Sequence, residues 1–126
     1  MYNNINSQKI GLYILRLGLA FIFLWFGFSQ ISDVTTWVSF VPTFLGNFIN
    51  PAFLVLGNGI FEILAGTLLS FNILVKPISI LLGVHLFFIA VSIGLTSVGV
   101  RDIGLAIASI ALGFIYQKNF FEESTM

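Results

Sequence analysis

The chain is 126 residues long, 58% hydrophobic and 8% charged, against roughly a quarter charged in an ordinary soluble domain, which excludes a water-soluble globular fold. A formal net charge of zero, with five basic residues scattered singly, leaves no electrostatic footprint for nucleic acid and no run to hold a peripheral helix on anionic lipid. The absence of cysteine excludes disulfides, thiol redox motifs and Cys-ligated zinc or iron–sulfur clusters, and with His85 the sole histidine and methionine only at positions 1 and 126, no interior ligand pair exists for haem.

The charges are Lys9, Arg16, Asp33, Glu62, Lys76, Arg101, Asp102, Lys118, Glu122 and Glu123, and they leave uncharged stretches at 17–32, 34–61, 63–75, 77–100 and 103–117. A spanning helix needs about 20 mostly apolar residues, so four spans fit if Arg16 and Glu62 lie inside them. The first is expected at about 9–29. It is too long for a signal-peptide core, is interrupted by Arg16 and lacks a small-residue cleavage site after it, so it is expected to be retained. Residues 30–50 change character. Ser29, Gln30, Ser32, Asp33, Thr35 and Thr36 are polar, whereas Trp37, Phe40, Val41, Phe44, Leu45 and Phe48 recur at three- and four-residue steps. This pattern predicts an amphipathic segment lying in the interface and kinked at Pro42.

Asn50 before Pro51 is a capped helix start and predicts the second span at 51–72. Pro77 marks the third in the same way, at 77–96. The region Gly94 to Gly99 turns the chain into the fourth, at 100–117. The expected fold is an all-α, antiparallel four-transmembrane-helix bundle forming a single integral membrane domain, its later helices joined by tight turns. Four spans put Lys9, Lys76 and Lys118 on one face against Arg101 alone on the other. The positive-inside rule then places both termini in the cytoplasm of a cell (inner) membrane protein. Tyr13 and Tyr116 fall at that inner interface and Trp37 at the outer one.

Charges inside spans cost roughly 2.5–3.5 kcal/mol on insertion scales and so need a reason. At about 1.5 Å of rise per residue, Arg16 lies roughly 10 Å, His85 roughly 12 Å and Glu62 roughly 16 Å from the inner face. These depths predict an Arg16–Glu62 pair within the bundle and a polar cluster with His85. Asn58, Gly59 and Gly66 share the Glu62 face, and Asp102, Ala106, Ser109 and Gly113 form a matching stripe on the fourth helix. Plainer roles stand beside these. An intramembrane ion pair can simply fix register, a neutral His85 can hydrogen-bond across helices, and Arg101 with Asp102 can cap the fourth helix. No metal site is expected.

The order Arg16 to Gly27, then Trp37 with Pro42, then Gly59-Ile-Phe-Glu62-Ile-Leu-Ala-Gly66, then Val100-Arg101-Asp102-Ile-Gly104, resembles the DoxX family of small four-helix membrane proteins over about 9–113. The resemblance places the family's first-helix arginine on Arg16, its second-helix glutamate on Glu62 and its Arg-Asp pair on Arg101 and Asp102. Gln30 stands where many members have lysine. By name and association the family implies a membrane subunit linked to thiosulfate:quinone oxidoreductase or to quinone handling, with no covalent cofactor and electrons supplied by a partner subunit. Arg16, Glu62 and His85 among phenylalanines suit a quinone head group.

Two other classes compete. One is a non-catalytic adaptor that recruits a partner enzyme through the tail Lys118 to Glu123 or through residues 30–50. The other is a small proton-coupled transporter, for which the glutamate sits in the second helix instead of the first and has an arginine at hand. Gly104 with Ala108 could serve internal packing or a homo-oligomer contact.

Overall fold

The computed structural model describes residues 2–116. The predicted end of the fourth span at Gln117, the orienting Lys118 and the tail through Glu123 lie outside the described residues. Within them the chain is helical and has no strand: α1 Tyr2–Ser32, α2 Val34–Val38, α3 Thr43–Gly46, α4 Pro51–Ser70, α5 Val75–Ile93 and α6 Ser97–Ile115. Four segments are long and apolar enough to cross a membrane: Ser7–Ser32, Pro51–Ser70, Val75–Ile93 and Ser97–Ile115, with mean hydropathies of 1.8 to 1.9. No more than a third of each is buried, so most of its apolar surface points outward. Phe21, Phe28, Leu64, Phe88 and Phe114 are all exposed, an arrangement that suits lipid as solvent and not water.

The helix boundaries follow local chemistry. Asn50 accepts a hydrogen bond from the Ala52 N–H at 3.0 Å, with Pro51 at the first helical position, as its sequence predicts. α5 begins two residues before the expected Pro77, because proline is tolerated anywhere in a first turn whose N–H groups have no intrahelical acceptor. α6 begins at Ser97, three residues before the expected Val100, since Thr96 is the true cap and accepts from the Gly99 N–H at 3.1 Å. Between α4 and α5 the chain turns through a Schellman motif. Asn72 is left-handed (φ 62°), its N–H meets Leu69 O at 3.2 Å and the Ile73 N–H reaches Leu68 O at 2.9 Å. Tyr116 Oη donates to Asn72 Oδ1 at 2.7 Å, tying the end of α6 to this turn.

The helices pack as two close pairs, α1 with α4 and α5 with α6. In the first pair, Gly27 and Gly59 bring the backbones together. A Cβ on either would lie 2.8 or 2.9 Å from the other's carbonyl oxygen. Arg16 meets Leu69 at one end and Gly27 meets Gly59 nearer the other, so this pair runs in opposite directions. In the second pair, a Cβ on Gly83 would lie 2.7 Å from Ala106 O, and Ser109 Oγ donates to Ser79 O at 2.7 Å. The stripe Asp102, Ala106, Ser109 and Gly113 is buried along its whole length, as its spacing predicts. Between the pairs, Leu19, Leu69, Val75, Leu82, Leu112 and Tyr116 form one buried cluster at the end that carries Lys9 and Lys76. The opposite end is hollow.

Candidate ligand-binding site

That hollow is a cavity of about 320 Å³, within the size range of small-molecule sites. Every helix of the bundle contributes. α1 gives Ile22, Phe23, Phe26 and Gln30; α4 gives Leu54, Val55, Asn58 and Glu62; α5 gives His85, Leu86, Ile89 and Ser92; α6 gives Val98, Arg101, Asp102 and Leu105. The segment between α1 and α4 closes the remaining side with Trp37, Phe40, Val41, Pro42 and Leu45. This is the stretch expected to be amphipathic and kinked at Pro42, and it forms two short helices with Pro42 at the start of the second.

Local chemistry holds that segment in place. Asp33 caps α2, accepting from the Thr36 N–H at 3.4 Å and from Thr36 Oγ1 at 2.7 Å. Trp37 Nε1 donates to Ser29 Oγ at 3.1 Å, and its ring stacks edge-on against Phe26, with centroids 5.7 Å apart. An indole with its N–H satisfied and its faces on other rings is a rigid wall.

The polar part of the cavity is centred on Asn58. Its amide nitrogen donates to Gln30 Oε1 at 2.8 Å and to Glu62 Oε1 at 3.3 Å. Its carbonyl oxygen meets His85 Nε2, so the hydrogen on that ring nitrogen points to Asn58. The His85 ring also sits 4.9 Å from Phe61, edge to face. Glu62 is 3% exposed, and its second carboxyl oxygen, Oε2, is buried with no hydrogen-bond partner. An unsatisfied buried polar atom in an apolar wall is costly unless a further group meets it. At the rim, Arg101 Nε lies 3.3 Å from Asp102 Oδ1, and the guanidinium sits 5.6 Å from the Phe26 ring centroid.

The structure brings together Glu62, His85, Arg101 and Asp102, but not Arg16. Arg16 does not pair with Glu62. It is buried and donates to the backbone oxygens of Leu69 and Ser70 at the C-terminal end of α4, the second at 3.0 Å, with Tyr13 packed against it at 4.8 Å. The reason is directional. Helical side chains lean toward their own helix N-terminus, so in two oppositely running helices Arg16 and Glu62 point toward opposite ends. A cation at α4's last carbonyls also complements the helix dipole. Capping of α6 falls to Thr96, and Asp102 lies beyond the first turn, so the Arg101–Asp102 pair is a feature of the cavity rim and not a helix cap.

Sequence reasoning assigned no role to Asn58 beyond close packing, yet it is the hub. Its signal was its place four residues before Glu62 on one helix face. Gln30 stands in the sequence as one of the polar residues that follow the first span and as a departure from lysine, and the structure makes it a buried acceptor for Asn58. No curated protein and no solved structure matches the chain. A model of the DoxX family matches residues 11–95, which takes in Gln30, Asn58, Glu62 and His85 but ends before Arg101.

Proposed function

The chain belongs to the DoxX family, and from that premise we propose that its intramembrane cavity binds a lipid-soluble ring compound, with a quinone-type head group as the class to test first. The observation that carries this reading is the orphaned Glu62 Oε2 inside a cavity walled by Phe23, Phe26, Trp37 and Phe40. A site of this kind suits a flat apolar ring with one or two polar atoms on its edge. In this reading the protein is a multi-pass subunit of the cell membrane with both termini cytoplasmic, Lys9 and Lys76 setting that orientation. Electrons for any redox step come from a partner oxidoreductase subunit.

The test is direct. In detergent solution, a saturating short-chain benzoquinone should raise the unfolding temperature of the purified protein. At a hundredfold excess over Kd the stabilisation is about 2.7 kcal/mol. Trp37 fluorescence should be quenched in parallel in a Trp25→Phe background, because Trp37 lines the cavity whereas Trp25 is exposed on the outside. No thermal shift and no quenching across a series of benzo- and naphthoquinones and their reduced forms would refute the reading.

A further inference from the structure

The cavity meets the outside along one edge. Of the residues that line it, Phe40, Leu45, Ser92 and Arg101 are exposed and the rest are buried or half-buried. Phe40 and Leu45 belong to the segment between α1 and α4, Ser92 and Arg101 to α5 and α6, so the mouth has an apolar lip and a polar one. At the lysine end there is no second way in, because Leu69, Leu82 and Leu112 are fully buried there and Arg16 is bound to the last carbonyls of α4. The apolar lip continues outward. Phe44, Phe48 and Ile49 do not line the cavity, yet all three are exposed, Phe48 to 85%. Phe28 near the end of α1 and Phe53 at the start of α4 are exposed as well, and no charge occurs from Val34 to Phe61. Apolar side chains left uncovered beside spanning helices belong in lipid.

We infer that residues 40–49 are seated in the leaflet at the Arg101 end, and that the ligand passes from that leaflet into the cavity over the lip of Phe40 and Leu45. This rests on the ring-binding function proposed above and names the source of its ligand. A ring compound with an apolar tail is dissolved in the leaflet. Over this lip its ring stays against apolar side chains as far as Trp37 and Phe26, so it is never transferred to water, which would cost free energy in proportion to the apolar area wetted. Its polar edge passes Ser92 and Arg101, which can hydrogen-bond to it. The route makes no demand on the proton at Glu62 and serves the oxidised and the reduced ring alike. With the lysine end closed, the cavity exchanges with one leaflet only.

The experiment has two arms. The chain has no cysteine, so single nitroxide labels can be attached to Phe44→Cys and Phe48→Cys in the full chain reconstituted into phosphatidylcholine vesicles. Both labels should collide more often with oxygen, which concentrates in lipid, than with a water-soluble nickel chelate; the reverse order overturns the inference. Entry is then followed by stopped-flow quenching of Trp37 in the Trp25→Phe background, with a decyl-benzoquinone as probe. Phe44→Asp and Phe48→Asp, tested singly, leave the cavity lining intact but draw the lip out of lipid. Association in vesicles should slow about tenfold, while affinity in detergent stays unchanged. An unchanged rate in vesicles overturns the inference, as does an affinity that falls equally in detergent, because the segment would then be a wall and not a route. Both of those results leave the ring-binding function standing. Absence of any quenching in the Trp25→Phe protein overturns both.

Discussion

The two ends of the bundle are built from the same four helices and differ in what lies between the pairs. At the lysine end, Leu69, Leu82 and Leu112 are fully buried and Arg16 closes the end of α4 with hydrogen bonds to its last carbonyls. At the Arg101 end the pairs stand apart, the gap is lined by rings and amides, and a carboxyl oxygen is left unmatched. In lipid there is little hydrophobic gain from bringing helices together, so packing and hydrogen bonds decide association. The contrast teaches that cohesion and open volume are assigned to different ends. One end maximises contact, and the other gives contact up to make room.

The largest blow to that contrast should come from Gly83→Val. The new side chain would collide with the backbone at Ala106 and force α5 from α6, with a loss of about 3 kcal/mol, read as a lowered unfolding temperature in detergent. If instead the variant unfolds normally, the close pair is not what holds the bundle together. Arg16→Met comes next. It keeps the apolar stem but strands the Ser70 carbonyl and removes the buried charged donor from the Leu69 carbonyl, which keeps the Asn72 N–H, a loss of about 2 kcal/mol, while ligand titrations at the other end stay unchanged. A change in ligand affinity with unchanged stability would show that the two ends are not separate.

The order of these effects also shows where sequence was a sufficient guide. Charge spacing located all four spans, and Asn50 with Pro51 placed the start of α4, because both signals are local. α5 and α6 start two and three residues before the positions that Pro77 and the Gly94 to Gly99 region predict, because the turn is set by left-handed Asn72 and the start of α6 by the Thr96 cap. The stripes of Glu62 and Asp102 were legible from helical period alone. The Arg16 partner was not. Depth arithmetic gives height in the bilayer but not the direction in which a side chain leans, and two helices running oppositely send equal heights to opposite ends. Asn58 as hub required three elements to meet, which no local pattern encodes.

The subtlest comparison sets Leu112→Ala against Ile89→Ala. Leu112 is enclosed at the sealed end, and its truncation leaves a void worth about 2 kcal/mol. Ile89 borders the cavity and already lacks neighbours on one side, so its loss should cost less than about 1 kcal/mol. Equal losses in the two variants would mean that the hollow end contributes to cohesion after all.

The pairing of the helices is also a boundary in time. Residues up to Ser70 complete the first pair and residues from Val75 onward supply the whole of the second, so a growing chain can close α1 on α4 before α5 leaves the ribosome. Within that first pair Asn58 holds Gln30 and Glu62 without help from the second. His85 and Asp102 arrive later, as the other wall of a room whose first half has been standing since the Asn72 turn was made.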